Sequence, residues 1–179
     1  MPLSELAARR DATADVLREI NTSLGTQEVV QLIESQIGAM TLEITSRLDE
    51  NSRLLSPGPS LETLGTLERD WMGVRKQLTD WGKVLDARGA QLIRNDATLE
   101  QLSQQWDATR HSGSANGFSE EIRERVDAMA NEVTATRERV WAQLTQLQAL
   151  QGRVTGQLVR AGEALALSLI HISEPTRRY

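Results

Sequence analysis

The sequence predicts an all-α protein, an elongated antiparallel helical bundle or coiled coil of four helices. Three observations carry that expectation. Leu, Ala, Gln, Glu and Arg dominate while aromatic residues make up only 3%, a composition of long helices rather than of a β-sandwich or barrel. Apolar residues recur at spacings of three and four over four separate stretches, the signature of amphipathic helices. Turn-forming clusters fall between those stretches, at Gly25, at Ser56–Ser60 and at Arg110–Gly117.

The first helix is expected from Ser4, a capping residue, to about Ser23. Leu6, Leu17 and Ile20 form its inner face, weakened midway by Arg10 and Thr13 on the same stripe. Gly25 ends it, and Thr26 is placed to cap the next. The second helix runs from Gln27 to about Leu55, with Val30, Ile33, Ile37, Met40, Ile44 and Leu48 inward. Ser56-Pro57-Gly58-Pro59-Ser60 then breaks the chain.

The third helix carries the clearest pattern. From Leu64 the series Leu64, Leu67, Trp71, Val74, Leu78, Trp81, Leu85, Arg88, Leu92, Asn95, Leu99, Leu102, Trp106 repeats every 3.5 residues on average. Only Arg88 and Asn95 are polar, so the series predicts a left-handed coiled-coil seam. At about 1.5 Å per residue the helix would span roughly 65 Å. Polar residues in a seam fix register at a cost in stability, so changing both to Leu is expected to raise thermal stability while loosening register. Gly73, Gly82 and Gly89 each cost about 1 kcal/mol against Ala in a helix. They mark either drift tolerated in a long helix or a close approach of a neighbour, and drift is the simpler reading.

Arg110–Gly117 is expected to be a turn, and the fourth helix to start at Ser119. Ile122, Val126, Met129, Val133, Val140, Leu144, Leu147, Val154, Leu158 and Leu165 follow helical spacing, with a phase shift between Val140 and Leu144. Gln143, Gln146, Gln148, Gln151 and Gln157 read as a solvated face. Short connections favour antiparallel neighbours. Pairing the last two helices sets Trp106 near Ile122, Leu99 near Met129 and Leu78 near Leu150. The second helix, folded back, sets Ile44 near Trp71 and Ile37 near Leu78. The expected organisation is two N-terminal helices over 1–56 and a coiled-coil hairpin over 60–166, with only two helices at the His111 end.

Residues 167–179 stand apart. Leu167–Arg177 reads LSLIHISEPTR, which resembles the translation of a transposase-type sequencing adapter at every codon. This tail is expected to be adapter-derived, not native, and to contribute nothing specific to the fold. The natural sequence would then continue past Ala166, and Met1 need not be its natural start.

Several function classes recede. The absence of Cys excludes disulfides and thiolate chemistry. A net charge of −5 argues against a nucleic-acid-binding surface. No apolar run approaches the roughly 20 residues that cross a bilayer. The N-terminus has no apolar signal core. His111 lies four residues after Asp107, allowing a carboxylate–imidazole contact at the helix end, but one His and one carboxylate do not make a zinc site. The reading is an exposed loop histidine. Gly113–Gly117 lacks the Lys-Ser/Thr ending and preceding strand of a phosphate loop. Glu68, Asp70, Glu120, Glu121 and Glu124 read as surface charges. No catalytic, cofactor-binding or metal residue is expected. Trp71, Trp81 and Trp106 read as core spacers, while Trp141, just off the fourth stripe, either fills a gap or faces a missing partner.

The stretches LETLGTLERDWMGVRKQLTDWGKVLDARGAQL, LEQLSQQWDATR and VWAQLTQLQALQGRVTGQL resemble the long periplasmic helical extension that precedes the membrane helices of some bacterial MscS-type mechanosensitive channels. The positions that carry the resemblance are Trp71, Trp81, Trp106, Thr109, Arg110, Leu150, Gln151 and Val154, within about Leu61 to Ala166. It implies an inner-membrane channel that releases solutes under tension, with this segment a periplasmic spacer or sensor arm upstream of an absent pore. A truncated start accounts for the missing signal peptide. The implied partners are other helices of the same full-length protein, in a homo-oligomer, with no nucleic acid and no membrane insertion by this segment. The alternative is a soluble, cytoplasmic coiled-coil scaffold or adaptor. Apolar segments of about 20 residues in the sequence beyond Ala166 would separate the two.

Overall fold

The computed structural model describes residues 3–55 and 60–173. It is all-α, with no strand among the described residues: α1 (Leu3–Gly25), α2 (Glu28–Leu55), α3 (Leu61–Asn116) and α4 (Glu120–Ser173). The side chain of Ser4 and the break at 56–59 lie outside what is described. The Thr26 hydroxyl donates back to the Thr22 carbonyl at 3.3 Å instead of opening α2. Ser60 caps α3: the Thr63 amide donates to its Oγ at 3.1 Å and the Leu64 amide to its carbonyl at 3.0 Å.

The stretch expected as a turn, Arg110–Gly117, is helical through Asn116. The chain leaves the helix at Gly117, whose φ of +69° lies in the left-handed region. The Phe118 amide then donates to the Gly113 carbonyl at 3.2 Å, a six-to-one closure typical of helix C-termini. Gly113 is required there, because a Cβ would lie 2.3 Å from the Phe118 ring. The amides of Ile122 and Arg123 donate to the Ser119 carbonyl and open α4. Glycine, serine and alanine resemble a loop in composition, yet this closure makes them a last helical turn.

Moving the turn moves the register. The Arg110–Asp127 and Glu100–Arg137 ion pairs set residues around Leu99 opposite Arg137 rather than Met129, about one heptad further on. A whole-heptad shift leaves each seam facing inward, so the burial pattern is indifferent to it. The buried series on α3 is Leu64, Trp71, Leu78, Leu85, Leu92, Leu99 and Trp106, seven residues apart throughout. In the companion series only Val74 is buried; Leu67, Trp81, Arg88, Asn95 and Leu102 are half-buried. That difference is why charge is tolerated at Arg88. On α4, Val126, Val133, Val140, Leu147, Val154 and Ala161 are buried at the same interval. The expected phase shift is absent: Thr136, Gln143, Gln157 and Ala164 occupy the companion positions, and their polar or small side chains hide the repeat. A Cβ at Gly73 or Gly82 would meet nothing within 4 Å, so no close approach explains either glycine.

Packing groups the chain into two units, a division that differs from the segments 1–56 and 60–166. The first comprises Met1–Gln27 and Arg88–Gln146, the second Glu28–Ala87 and Leu147–Tyr179. In the first unit α1 runs opposite to α3, with Arg9 bonded to Thr109, Thr13 to Trp106 and Ser23 to Asn95. Three helices therefore meet where only two were expected. Its core includes Leu17, Ile20, Leu92, Leu99, Val133 and Val140. In the second unit α2, α3 and α4 are joined by Arg47–Asp70 at 3.4 Å, Thr45–Arg160 at 3.4 Å and Asp86–Gln151 at 2.8 Å. Its core includes Ile33, Ile37, Ile44, Trp71, Leu78 and Val154. The tail reading is touched only in part: α4 continues as helix to Ser173, and residues 174–179 lie outside the described residues.

Candidate functional site

The last turn of a helix leaves carbonyls without intrahelical partners and carries the negative end of its dipole. In the first unit, three side chains from α3 and α4 meet that turn of α1. Arg88 Nη2 donates to the Ser23 carbonyl at 2.8 Å and to Gln143 Oε1 at 3.2 Å, while its Nη1 donates to Gln91 Oε1 at 3.0 Å. Gln143 Nε2 donates to the Leu24 carbonyl at 3.0 Å, and Gln27 Nε2 to the same carbonyl at 2.8 Å. Asn95 Nδ2 donates to Ser23 Oγ at 3.2 Å. Burial holds the Arg88 guanidinium below its ordinary pKa, although an arginine stays charged in any case. Both polar residues of the α3 seam thus act on one helix end. Gln143 belongs with them and not with a solvated face; its spacing of three from Val140 is the signal that would have revealed it.

A second polar contact lies deeper. Trp106 and Thr13 are almost wholly buried, at 1% and 2% exposure. The Trp106 indole N–H donates to Thr13 Oγ1 at 3.2 Å, and the Thr13 hydroxyl donates to the Arg9 carbonyl at 2.9 Å. Thr13, read as a weakness in the first stripe, is therefore a designated partner for an indole. Trp71 is buried as expected, Trp81 only half-buried. Trp141 is 54% exposed, and its indole N–H donates to Asp96 Oδ1 at 2.9 Å. Asp96 also accepts from Arg137, which pairs with Glu100 as well. The Asp96 bond, first among several contacts, raises the Arg137 pKa above its ordinary value.

His111 is exposed and sits within α3 rather than on a loop. Its Nδ1–H donates to the Asp107 carbonyl at 2.7 Å, while the Asp107 carboxylate faces Arg110 at 3.5 Å. The expected carboxylate–imidazole contact is replaced by a bond to backbone. Glu120 and Glu121 pair with Arg123 and Arg125 on the surface of α4, and Asp70 with Arg47. Among the described residues no group of three or more His, Asp or Glu is placed to hold a metal ion, and no helix is long and apolar enough to cross a membrane.

No protein-family model matches the chain, and no curated protein or solved structure resembles it significantly.

Proposed function

We propose that the chain is a non-catalytic helical arm, its four helices paired as an antiparallel coiled coil. It serves as a spacer or sensor in the periplasmic region of an MscS-type mechanosensitive channel. One observation carries the mechanical part of this reading. The half-buried Arg88, Asn95 and Gln143 and the buried Trp106 of the first unit spend their polar groups on joining helices to one another. Such contacts fix register, which suits an element that transmits force. The channel part rests on the resemblance around Trp71, Trp106 and Leu150. In this reading the arm's partners are other helices of the same protein in a homo-oligomer, and its place is the bacterial periplasm at the inner membrane.

The test is electrical. Membrane patches from cells expressing the complete natural locus should show tension-activated current, and the locus should encode apolar segments of about 20 residues beyond Ala166. Arg88→Leu in that protein should shift the tension threshold without abolishing conduction. A locus without membrane segments, or patches silent under tension, would leave the soluble scaffold as the reading in its place.

A further inference from the structure

In the second unit, α2 is apolar on two faces. Ile33, Ile37, Met40 and Ile44 turn inward and are buried. On the opposite side Leu32, Ser35, Ala39 and Leu42 stand in solvent, Leu32 at 53% exposure and Leu42 at 74%. Charge is scarce around them. From Val29 to Leu42 only Glu34 is charged, in a chain whose residues are 25% charged. At about 100° per residue, Glu34 lies roughly 120° round the helix from the middle of this stripe. The Ser35 hydroxyl donates to the Leu32 carbonyl at 2.7 Å, so its one donor is spent. The face can therefore leave water without stranding a charge or a hydroxyl donor, and depletion of charge is the mark of an interface centre.

The spacing says which partner fits. Leu32, Ser35, Ala39 and Leu42 are three, four and three residues apart, so the stripe reads the same in both directions. Alternating steps of three and four pack two helices along a seam. A contact about a two-fold axis sets residue i against j and j against i. With the axis level with Ile37, Leu32 meets Leu42 of the second copy and Ser35 meets Ala39, each pair twice. The bordering charges agree with this direction. Glu28 comes level with Ser46 of the second copy, and Glu43 with Gln31. A parallel pair would instead set Glu28 on Glu28 and Glu43 on Glu43, like charge on like.

We propose that the outer face of α2 pairs, antiparallel, with the same face of a second copy of this chain. The pairing rests on the self-association in the reading above and not on its channel part, since a soluble scaffold would use the same face. From Leu32 to Leu42 the seam runs about 15 Å at 1.5 Å per residue. One such seam falls short of the roughly 1,200 Å² of a stable interface. The dimer is therefore weak, with a dissociation constant between about 1 μM and 1 mM.

Sedimentation equilibrium of the full chain, from about 10 μM to about 1 mM, should show a reversible monomer–dimer equilibrium. Leu42→Glu leaves its carboxylate in water in the monomer but presses it against Leu32 in the pair. It should weaken the dimer roughly tenfold or more, with the melting temperature of dilute protein unchanged. Leu61→Glu, at an equally exposed leucine that opens α3, should leave association as it was. Direction is read by disulfide formation, which is unambiguous because the chain has no cysteine. Leu32→Cys protein mixed with Leu42→Cys protein should form the mixed dimer on mild oxidation. Either variant alone should not, because its own counterpart lies about 15 Å away along the seam. A chain still monomeric at about 1 mM would give the face to a helix of another protein and overturn the proposal. Equal weakening by Leu61→Glu, or disulfides forming as fast in either variant alone as in the mixture, would overturn it as well. Membrane patches silent under tension would remove the channel reading and leave the pairing standing.

Discussion

The two units are built from the same long helices α3 and α4, each completed by one shorter helix, and they fill their interiors differently. In the first, Thr13, Thr109 and Thr136 are buried among the aliphatic residues, and Arg88, Asn95 and Gln143 reach in from the edge to the end of α1. In the second, Asn51 is the one buried polar residue among those described; its acceptor has no partner, a state that Asn21 Oδ1 shares in the first. Their surfaces differ in the opposite sense. Leu32, Leu42, Leu61, Met72 and Val159 stand exposed in the second unit, whereas among the described residues of the first the exposed large apolar ones are Ile93 and Trp141. The first unit thus holds a short, weakly amphipathic helix by directed hydrogen bonds. The second holds a more strongly patterned helix mainly by apolar area, which is non-directional.

The largest effects should come from the two buried tryptophans, one in each unit. Trp71→Ala and Trp106→Ala should each cost about 3–5 kcal/mol in denaturant unfolding. The milder change to Phe separates them. Trp106→Phe forfeits the bond to Thr13, worth about 1 kcal/mol. Thr13→Val should cost as much in the parent but little more in the Trp106→Phe background. A double-mutant cycle showing no coupling between positions 13 and 106 would remove the hydrogen-bonded character assigned to the first unit.

The next comparison reverses an expectation drawn from the heptad pattern. A polar residue in an apolar seam is ordinarily a loss, so Arg88→Leu would be expected to stabilise. In the folded chain Arg88 is the donor to the Ser23 carbonyl and to Gln143, and removing it strands both. The change should cost about 1–3 kcal/mol. Asn51→Leu should go the other way and raise stability by about 1 kcal/mol, because it deletes an acceptor that nothing satisfies. Asn95→Leu should be mildly destabilising. Thermal unfolding of these variants measures opposite signs for two asparagines on comparable helix faces. Equal signs would mean that the two interiors do not differ as described.

Much of the fold was legible because burial has a period. The series Leu64 to Trp106 and Ile33 to Ile44 show in the sequence what they do in the structure. Less legible were features whose cause is a partner distant in sequence. Thr13 has meaning only beside Trp106, and no local pattern announces it; Gln143 finds its partner in Leu24, and only its spacing from Val140 hints at an inward place. The turn was misplaced because Gly113 and Gly117 look alike in a sequence, yet one is helical beneath the Phe118 ring and the other takes a positive φ. Phe118, the chain's one phenylalanine, was the available clue. The α4 repeat was hidden where Thr136, Gln143 and Gln157 hold seam positions, since a search for apolar residues passes over them. The burial of Asn51 was hidden for the same reason, because the inward series on α2 continues there in a polar residue.

The smallest expected effect concerns the way each unit uses surface charge. In the second unit, Asp80 accepts from Lys76 Nζ at 3.0 Å and Lys83 Nζ at 3.3 Å, all on one helix, the lysines largely and the carboxylate half exposed. The hydrogen bond from Lys76, then that from Lys83, holds the Asp80 carboxyl below its ordinary value of 3.8. A depressed acid contributes stability that is fully present above its unfolded pKa and is lost as pH falls through the lower folded one. The window therefore lies below pH 3.8, and since all three partners sit on one helix at the surface the thermal effect should be close to nothing. Carbon-detected titration of the carboxyl is the sensitive measurement. Lys76→Gln should move the Asp80 midpoint back toward the ordinary value further than Lys83→Gln does, and added salt should narrow the gap. The contrast in the first unit is Asp96, which joins α3 to Arg137 and Trp141 of α4. Asp96→Asn removes a contact between helices and should lower the melting temperature, while Asp80→Asn removes one within a helix and should not. Equal losses from the two changes would show that the ion pairs of both units are no more than surface charge, and that the directed contacts of the first unit end at its core.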